Sequence, residues 1–207
     1  MKRLVSALLF LLLVVVAVWW ARDWLLAYGA RGLAHLGFTL MRWLPPMLLG
    51  SMLGYGLGWA MRRWGGLEAW LTPWLLSLLA LPWLLIIPAV NIIPYLGLDE
   101  RVLFILVSLV QGVFLASALG RHKLPEATRA AQVRRGFRLG LLVVLVGELF
   151  SRKTGLGAEF RFYTLYFSPE NLLFFVTLTL FTWGLQELLA RLFVRVALGP
   201  RPRPASG

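Results

Sequence analysis

Long apolar stretches alternate along this chain with short charged ones. Six of them read as helices at about 4–20, 44–60, 70–93, 101–120, 137–150 and 171–194. Each long run approaches the ~20 apolar residues that a helix needs to cross a bilayer. The third is interrupted by Pro82 and Pro88 and ends near Asn91 and Pro94. Proline in a span frees carbonyls that neighbouring helices or water must satisfy, so this helix is expected to face protein. The fifth is short for a full crossing, and its helix is expected to begin inside the preceding basic stretch. The first follows Met1-Lys2-Arg3 as a secretory signal would. Trp19-Trp20-Ala21-Arg22 offers no small-residue cleavage site, so the run is read as a retained span.

The charges have a direction. With the N-terminus placed inside, Arg22, Arg31, Arg42, Arg101, Arg152, Lys153 and Arg161 fall outside, and the other fourteen of the 21 Lys and Arg fall inside. That bias predicts both termini in the cytoplasm and an even number of spans. Trp19, Trp20, Trp43, Trp59, Trp64, Trp70 and Trp74 lie near predicted span ends, where interfacial anchors belong. The Pro- and Arg-rich end from Gly199 to Gly207 predicts a disordered cytoplasmic tail.

Composition agrees with this layout. The chain is 59% hydrophobic and 14% charged over 207 residues, with mean hydropathy +0.77. No polar stretch is long enough for a separate soluble domain. The net charge of +12 sits in short loops beside apolar runs, which points to membrane orientation and not to nucleic acid. The absence of cysteine excludes disulfides, thiolate catalysis and Cys-ligated metal. His35 and His122 lie too far apart in the sequence to suggest a metal site. No metalloprotease helix, phosphate-binding Gly loop or Ser/His/Asp set is present, so neither catalysis nor a cofactor is expected.

Several stretches can carry function. Gly50, Gly54 and Gly58 make a smooth helix face, and ordinary packing within the chain is the favoured reading. The basic stretch Arg121 to Arg138 reads either as a topology-setting loop or as a partner-docking surface, with a helix starting at Pro125 and Glu126 near its positive end. From Ser151 to Asn171 the aromatic residues Phe160, Phe162, Tyr163, Tyr166 and Phe167 suggest an interfacial amphipathic element. Glu187 and Arg191 are spaced for an i,i+4 pair. Glu148 is an intramembrane acid, which is costly and usually faces protein or water. Asn91, Gln111 and Glu148 are candidate path residues; each can equally serve helix packing.

From about His35 to Arg195 the chain resembles the membrane permease subunits of bacterial ABC importers, closest to the nitrate, sulfonate, taurine and bicarbonate branch. The likeness rests on His35-Leu-Gly-Phe-Thr-Leu-Met-Arg42 and on the Gly50–Gly58 helix. It continues in Leu71-Thr-Pro-Trp74 through Pro82, Pro88 and Leu96-Gly97-Leu98-Asp99-Glu100. Its last part is Gly136-Phe-Arg-Leu-Gly140, Gly147-Glu148 and Thr154-Gly-Leu-Gly157. The resemblance implies an all-α integral membrane protein of MetI-like ABC permease fold in the cell (inner) membrane. It divides the chain into an N-terminal helix and external segment (1–34), a permease-like core (35–197) and a tail (198–207). It also implies a homodimer, a cytoplasmic ATP-binding subunit and an extracytoplasmic solute-binding protein. The coupling helix that docks on the ATPase would fall at Glu126, Arg129 and Arg134. Here the chain departs from the family, because only the short piece from Gly120 to Gly136 stands where a much longer one is usual. Glu126-Ala127-Thr128 is similar to a remnant of the coupling motif. Alternatively Leu124-Pro125 matches the residues after it, and the coupling helix is missing. The expected function is therefore a permease subunit; the alternative is a membrane scaffold that no longer couples to an ATPase. A lipid-modifying membrane enzyme ranks last, for want of a polar cluster at one depth.

Overall fold

The computed structural model describes residues 22–92, 99–121, 124–151 and 153–198, and within them the chain is all helical. The elements are α1 (Arg22–Arg63), α2 (Gly65–Ala80), α3 (Trp83–Ile92), α4 (Glu100–Gly120), α5 (Glu126–Ser151), α6 (Leu156–Leu165) and α7 (Pro169–Leu198). The expected first span, 4–20, lies outside the described residues, as does the tail beyond Leu198.

By length and composition α4 and the Asn171–Leu198 part of α7 can cross a membrane. The Gly65–Ala80 and Trp83–Val90 helices make a third crossing if they count together, although they are bent 70° from one another. The break falls at Leu81-Pro82, one of the prolines that interrupt the apolar run. Large apolar side chains cover the outside: Leu26, Met41, Met52, Trp70, Leu85 and Val196 are all exposed. An apolar exterior this extensive is what lipid contact requires. The protein is therefore a helical membrane protein.

One expected boundary moves. The span at 44–60 is not an element of its own. It is the second half of α1, which runs unbroken through the segment expected to be an external loop and through the boundary drawn at residues 34 and 35. At ~1.5 Å per residue its 42 residues extend about 63 Å, twice the hydrocarbon thickness. Only part of α1 can be immersed. The extra length exists because Arg31, His35, Thr39 and Arg42 find partners in the protein instead of water. The span at 137–150 is the second half of α5, which starts at Glu126 and carries the basic stretch as its first turns, as its short apolar run led one to expect.

Close contacts fix the directions. A Cβ on Gly50, Gly54 or Gly58 would meet the Ser108 carbonyl at 2.3 Å, the Gly112 carbonyl at 2.5 Å and Leu119 at 2.7 Å. The numbers rise together, so α1 and α4 run parallel, backbone against backbone. The glycine face is thus packing within the chain. Gly136 meets Gln111 and Phe114, and Gly140 meets Trp43 and Val107, so α5 runs antiparallel to α4. Arg138 bonds Glu187, and Leu145 packs with Phe174 and Phe175, so α7 returns antiparallel to α5. The core between them is built on Trp43, Ile87, Leu103, Val107, Phe114, Phe137 and Leu141.

Two unlike ends result. One gathers the C-termini of α1, α4 and α7 and the start of α5, with Arg62, Arg63, Arg121, Arg129, Arg134, Arg135, Arg138, Arg191 and Arg195. The other holds the start of α4, the end of α5 and all of α6, and there acids nearly match bases.

Candidate functional site

A stripe of polar residues on α1 builds the site. Arg31, His35, Thr39 and Arg42 are spaced four, four and three apart, so they share one helix face. That face meets the junction where α5 ends and α6 begins.

Glu148, with a fully buried side chain, is the hub. Its carboxylate accepts from Thr39 Oγ1 (3.0 and 2.9 Å), Arg42 Nη1 (2.9 Å) and the backbone N–H of Gly157 (3.1 Å). A buried carboxylate survives only with this kind of compensation. The N-terminus of α6 adds the positive end of a helix dipole. Gly155, the residue before α6, has no side chain to cap it, so the cap comes from elsewhere. Thr39 Oγ1 accepts from Leu156 N–H at 2.9 Å, and His35 Nδ1 accepts from Gly155 N–H at 3.0 Å. With Nδ1 accepting, the proton sits on Nε2, which lies 3.1 Å from Glu159 Oε1. Arg31 Nη2 reaches the same oxygen at 2.9 Å. That hydrogen bond holds the Arg31 guanidinium above its ordinary pKa.

Arg42 has no donor to spare. Nε donates to Glu100 (3.1 Å), Nη1 to Glu148 (2.9 Å) and the Thr154 carbonyl (2.6 Å). Nη2 donates to Thr154 Oγ1 (2.9 Å) and approaches Glu100 Oε1 at 3.0 Å. All five N–H groups are used, joining α1, α4 and the α5–α6 turn. Beside the Arg42–Glu100 pair a cleft of 340 Å³ opens between α1 and α4, lined by Phe38, Met41, Leu103 and Phe104.

Two glycines make the approach possible. Gly155 has φ +109°, and a Cβ there would fall 2.1 Å from Glu148 Oε1. A Cβ on Gly157 would fall 2.2 Å from the Leu145 carbonyl.

The residues singled out from sequence divide between the ends. Glu148 lies at the centre of the network. Gln111 is buried midway along α4, donating to Ser51 Oγ at 3.1 Å across the α1–α4 contact, with Oε1 unpartnered. Asn91 falls in the last turn of α3, and its side chain lies outside the described residues. Glu126, Arg129 and Arg134 occupy the first turns of α5 at the opposite, basic end, half-buried, with Arg129 Nε enclosed and unpartnered. The structure does not bring them near Glu148. Glu187 pairs with Arg191 as spaced (3.1 Å) and with Arg138 as well (2.9 Å). The aromatic stretch after Ser151 becomes α6, with Tyr163 buried against Phe175 and Phe162, Leu165, Tyr166 and Phe167 exposed.

Sequence reasoning did not assign a role to Arg31, Thr39, Arg42, Glu100, Thr154 or Glu159. The 4-4-3 polar stripe on α1 was the available signal. No protein-family model, curated protein or solved structure matches the chain.

Proposed function

We propose that this chain is the membrane permease subunit of an ABC importer, passing a small solute across the cell (inner) membrane with ATP hydrolysis supplied by a partner subunit. One observation carries the reading. The two stretches most like the permease family, His35–Arg42 and Glu148–Gly157, lie over a hundred residues apart, yet they interlock side chain to backbone in one buried network. On this reading the chain crosses six times, both termini are cytoplasmic, and two copies enclose the path. The network end faces outward, towards a solute-binding protein. The basic end faces the ATP-binding subunit, which Glu126, Arg129 and Arg134 contact. Alternating access then rocks the two copies between states of unequal affinity for their partners. Glu148 serves as the fixed anchor of α6, since its carboxylate accepts from Thr39, Arg42 and the Gly157 N–H together. Gln111 and Asn91 remain nearer the path.

A second reading has its own support. Only Arg121–Pro125 separate α4 from α5, so among the described residues no separate coupling helix lies between them. A scaffold on a permease-like core that no longer couples to an ATPase would have this shape.

Purification of the tagged chain in mild detergent from its native host, with mass spectrometry of what accompanies it, separates the two. A stoichiometric ATP-binding subunit supports the importer. In that complex E126A/R129A is expected to lower solute-stimulated ATP hydrolysis while leaving the membrane part assembled. Recovery of the chain without any ATPase sinks the importer and favours the scaffold.

A further inference from the structure

Most arginines with a partner close on acids, Arg138 and Arg191 on Glu187 at the basic end among them. At the network end Arg31 is held by Glu159, Arg42 by Glu100 and Glu148, and Arg161 by the Phe150 carbonyl. At the basic end three arginines stand where α1 and α4 both stop. Met61 packs on Gly120, and Arg62 Nε donates to the Leu119 carbonyl, which brings Arg62 and Arg63 beside Arg121, the C-cap of α4. Among the described residues no carboxylate pairs with any of these three. Arg62 keeps four N–H donors without an acceptor there, and Arg63 lies over the Trp59 ring at 5.3 Å.

The surroundings say what fills those donors. Trp59, under Arg63, and Trp64, the next residue, are both exposed at this corner. Tryptophan exposed in this way sits at headgroup depth, with its ring among acyl chains and its N–H towards the polar layer. Cations at that depth that no carboxylate among the described residues pairs face the phosphates of the leaflet; Glu68, at the same pole, has a partner other than these three.

We propose that Arg62, Arg63 and Arg121, flanked by Trp59 and Trp64, form a binding site for the headgroup phosphate of an anionic phospholipid. The guanidiniums take the phosphate through paired N–H donors. The indoles take the upper acyl chains. The site is independent of the transport reading, because it uses none of the α5 residues assigned to the ATPase.

The test uses the full chain in mild detergent, offered equal amounts of phosphatidylglycerol and phosphatidylcholine, with retained lipid counted by native mass spectrometry. Wild type is expected to retain phosphatidylglycerol preferentially. At roughly fivefold per arginine, R62Q/R63Q/R121Q lowers that preference on the order of 100-fold. R134Q/R135Q/R195Q removes the same charge from the same end and is expected to leave it within a few-fold. Equal losses in both triples mean a diffuse basic field and overturn the site, as does a wild type with no preference. Should the first triple fail to fold, R63E decides. Among the described residues Arg63 makes no hydrogen bond, so this variant is expected to fold, and it must lose more than fivefold in preference or the site is wrong.

Discussion

Gly155 is the residue on which the buried network turns. Its φ of +109° lies where only glycine is at ease, and the space a Cβ would take is occupied by the Glu148 carboxylate. Gly155→Ala therefore carries backbone strain of order 1–3 kcal/mol and a clash as well. The variant is expected to lose most of its monodisperse peak in detergent gel filtration. Recovery at wild-type yield would mean that the turn has another conformation. Glu148 itself gives a graded pair. Glu148→Ala leaves Arg42, Thr39 and the Gly157 N–H short of an acceptor in a buried place, a loss of about 3–5 kcal/mol. Glu148→Gln keeps one acceptor oxygen and the shape, and is expected to lie between wild type and alanine in thermal unfolding. Equal melting of all three would show that the network contributes nothing. Glu148 was legible in the sequence as a lone acid beside an apolar run. Its partners were not. Arg42 counted there as a loop cation and as the end of the family-like His35–Arg42 stretch, without a partner, because helix periodicity says which residues share a face but not which distant face they meet.

Among the helices, α1 shows where periodicity succeeds and where it stops. The glycines at 50, 54 and 58 were readable as a packing face, and they receive α4 along its backbone. Gly56, between them, has nothing within 4 Å of a built Cβ. The two classes should separate on substitution. Gly54→Ala must push the Gly112 carbonyl away and is expected to lower the melting temperature. Gly56→Ala gains helix propensity, up to ~1 kcal/mol, and is expected to leave melting unchanged or raised. If both behave alike, α1 and α4 are not in contact along this line. The helix ends were less legible. The expected start at residue 44 follows hydropathy, and hydropathy drops where the 31–42 stripe turns polar. Those polar groups are satisfied by protein partners, so the helix continues. Pro45 and Pro46 do not stop it, although they lack the N–H groups that would reach the Met41 and Arg42 carbonyls. The basic first turns of α5 were more legible, because a short apolar run and Pro125 with Glu126 pointed to a helix starting inside the basic stretch, and α5 starts at Glu126.

For the whole molecule the strongest regularity is charge by end, and it yields an orientation that labelling can test. The helices pack so that the scattered loop charges of the sequence collect at one pole, where, among the described residues, Glu68, Glu126 and Glu187 stand against nine arginines. Acids Asp99, Glu100, Glu148 and Glu159 sit at the opposite pole with Arg31, Arg42, Arg101, Lys153 and Arg161. Cations are retained on the cytoplasmic side of a membrane far more strongly than acids are excluded from it. The basic pole is therefore expected inside. The chain has no cysteine of its own, so single introduced thiols report cleanly. Ala127, exposed in the first turn of α5, and Lys153, in the turn before α6, mark the two poles. With a membrane-impermeant maleimide on intact cells or spheroplasts, Lys153→Cys should label at once and Ala127→Cys only after permeabilisation. Labelling in the reverse order would place the basic pole outside. The arginine corner would then meet the outer leaflet, and the ATP-binding partner would have no face to dock on, so this one experiment bears on both proposals together.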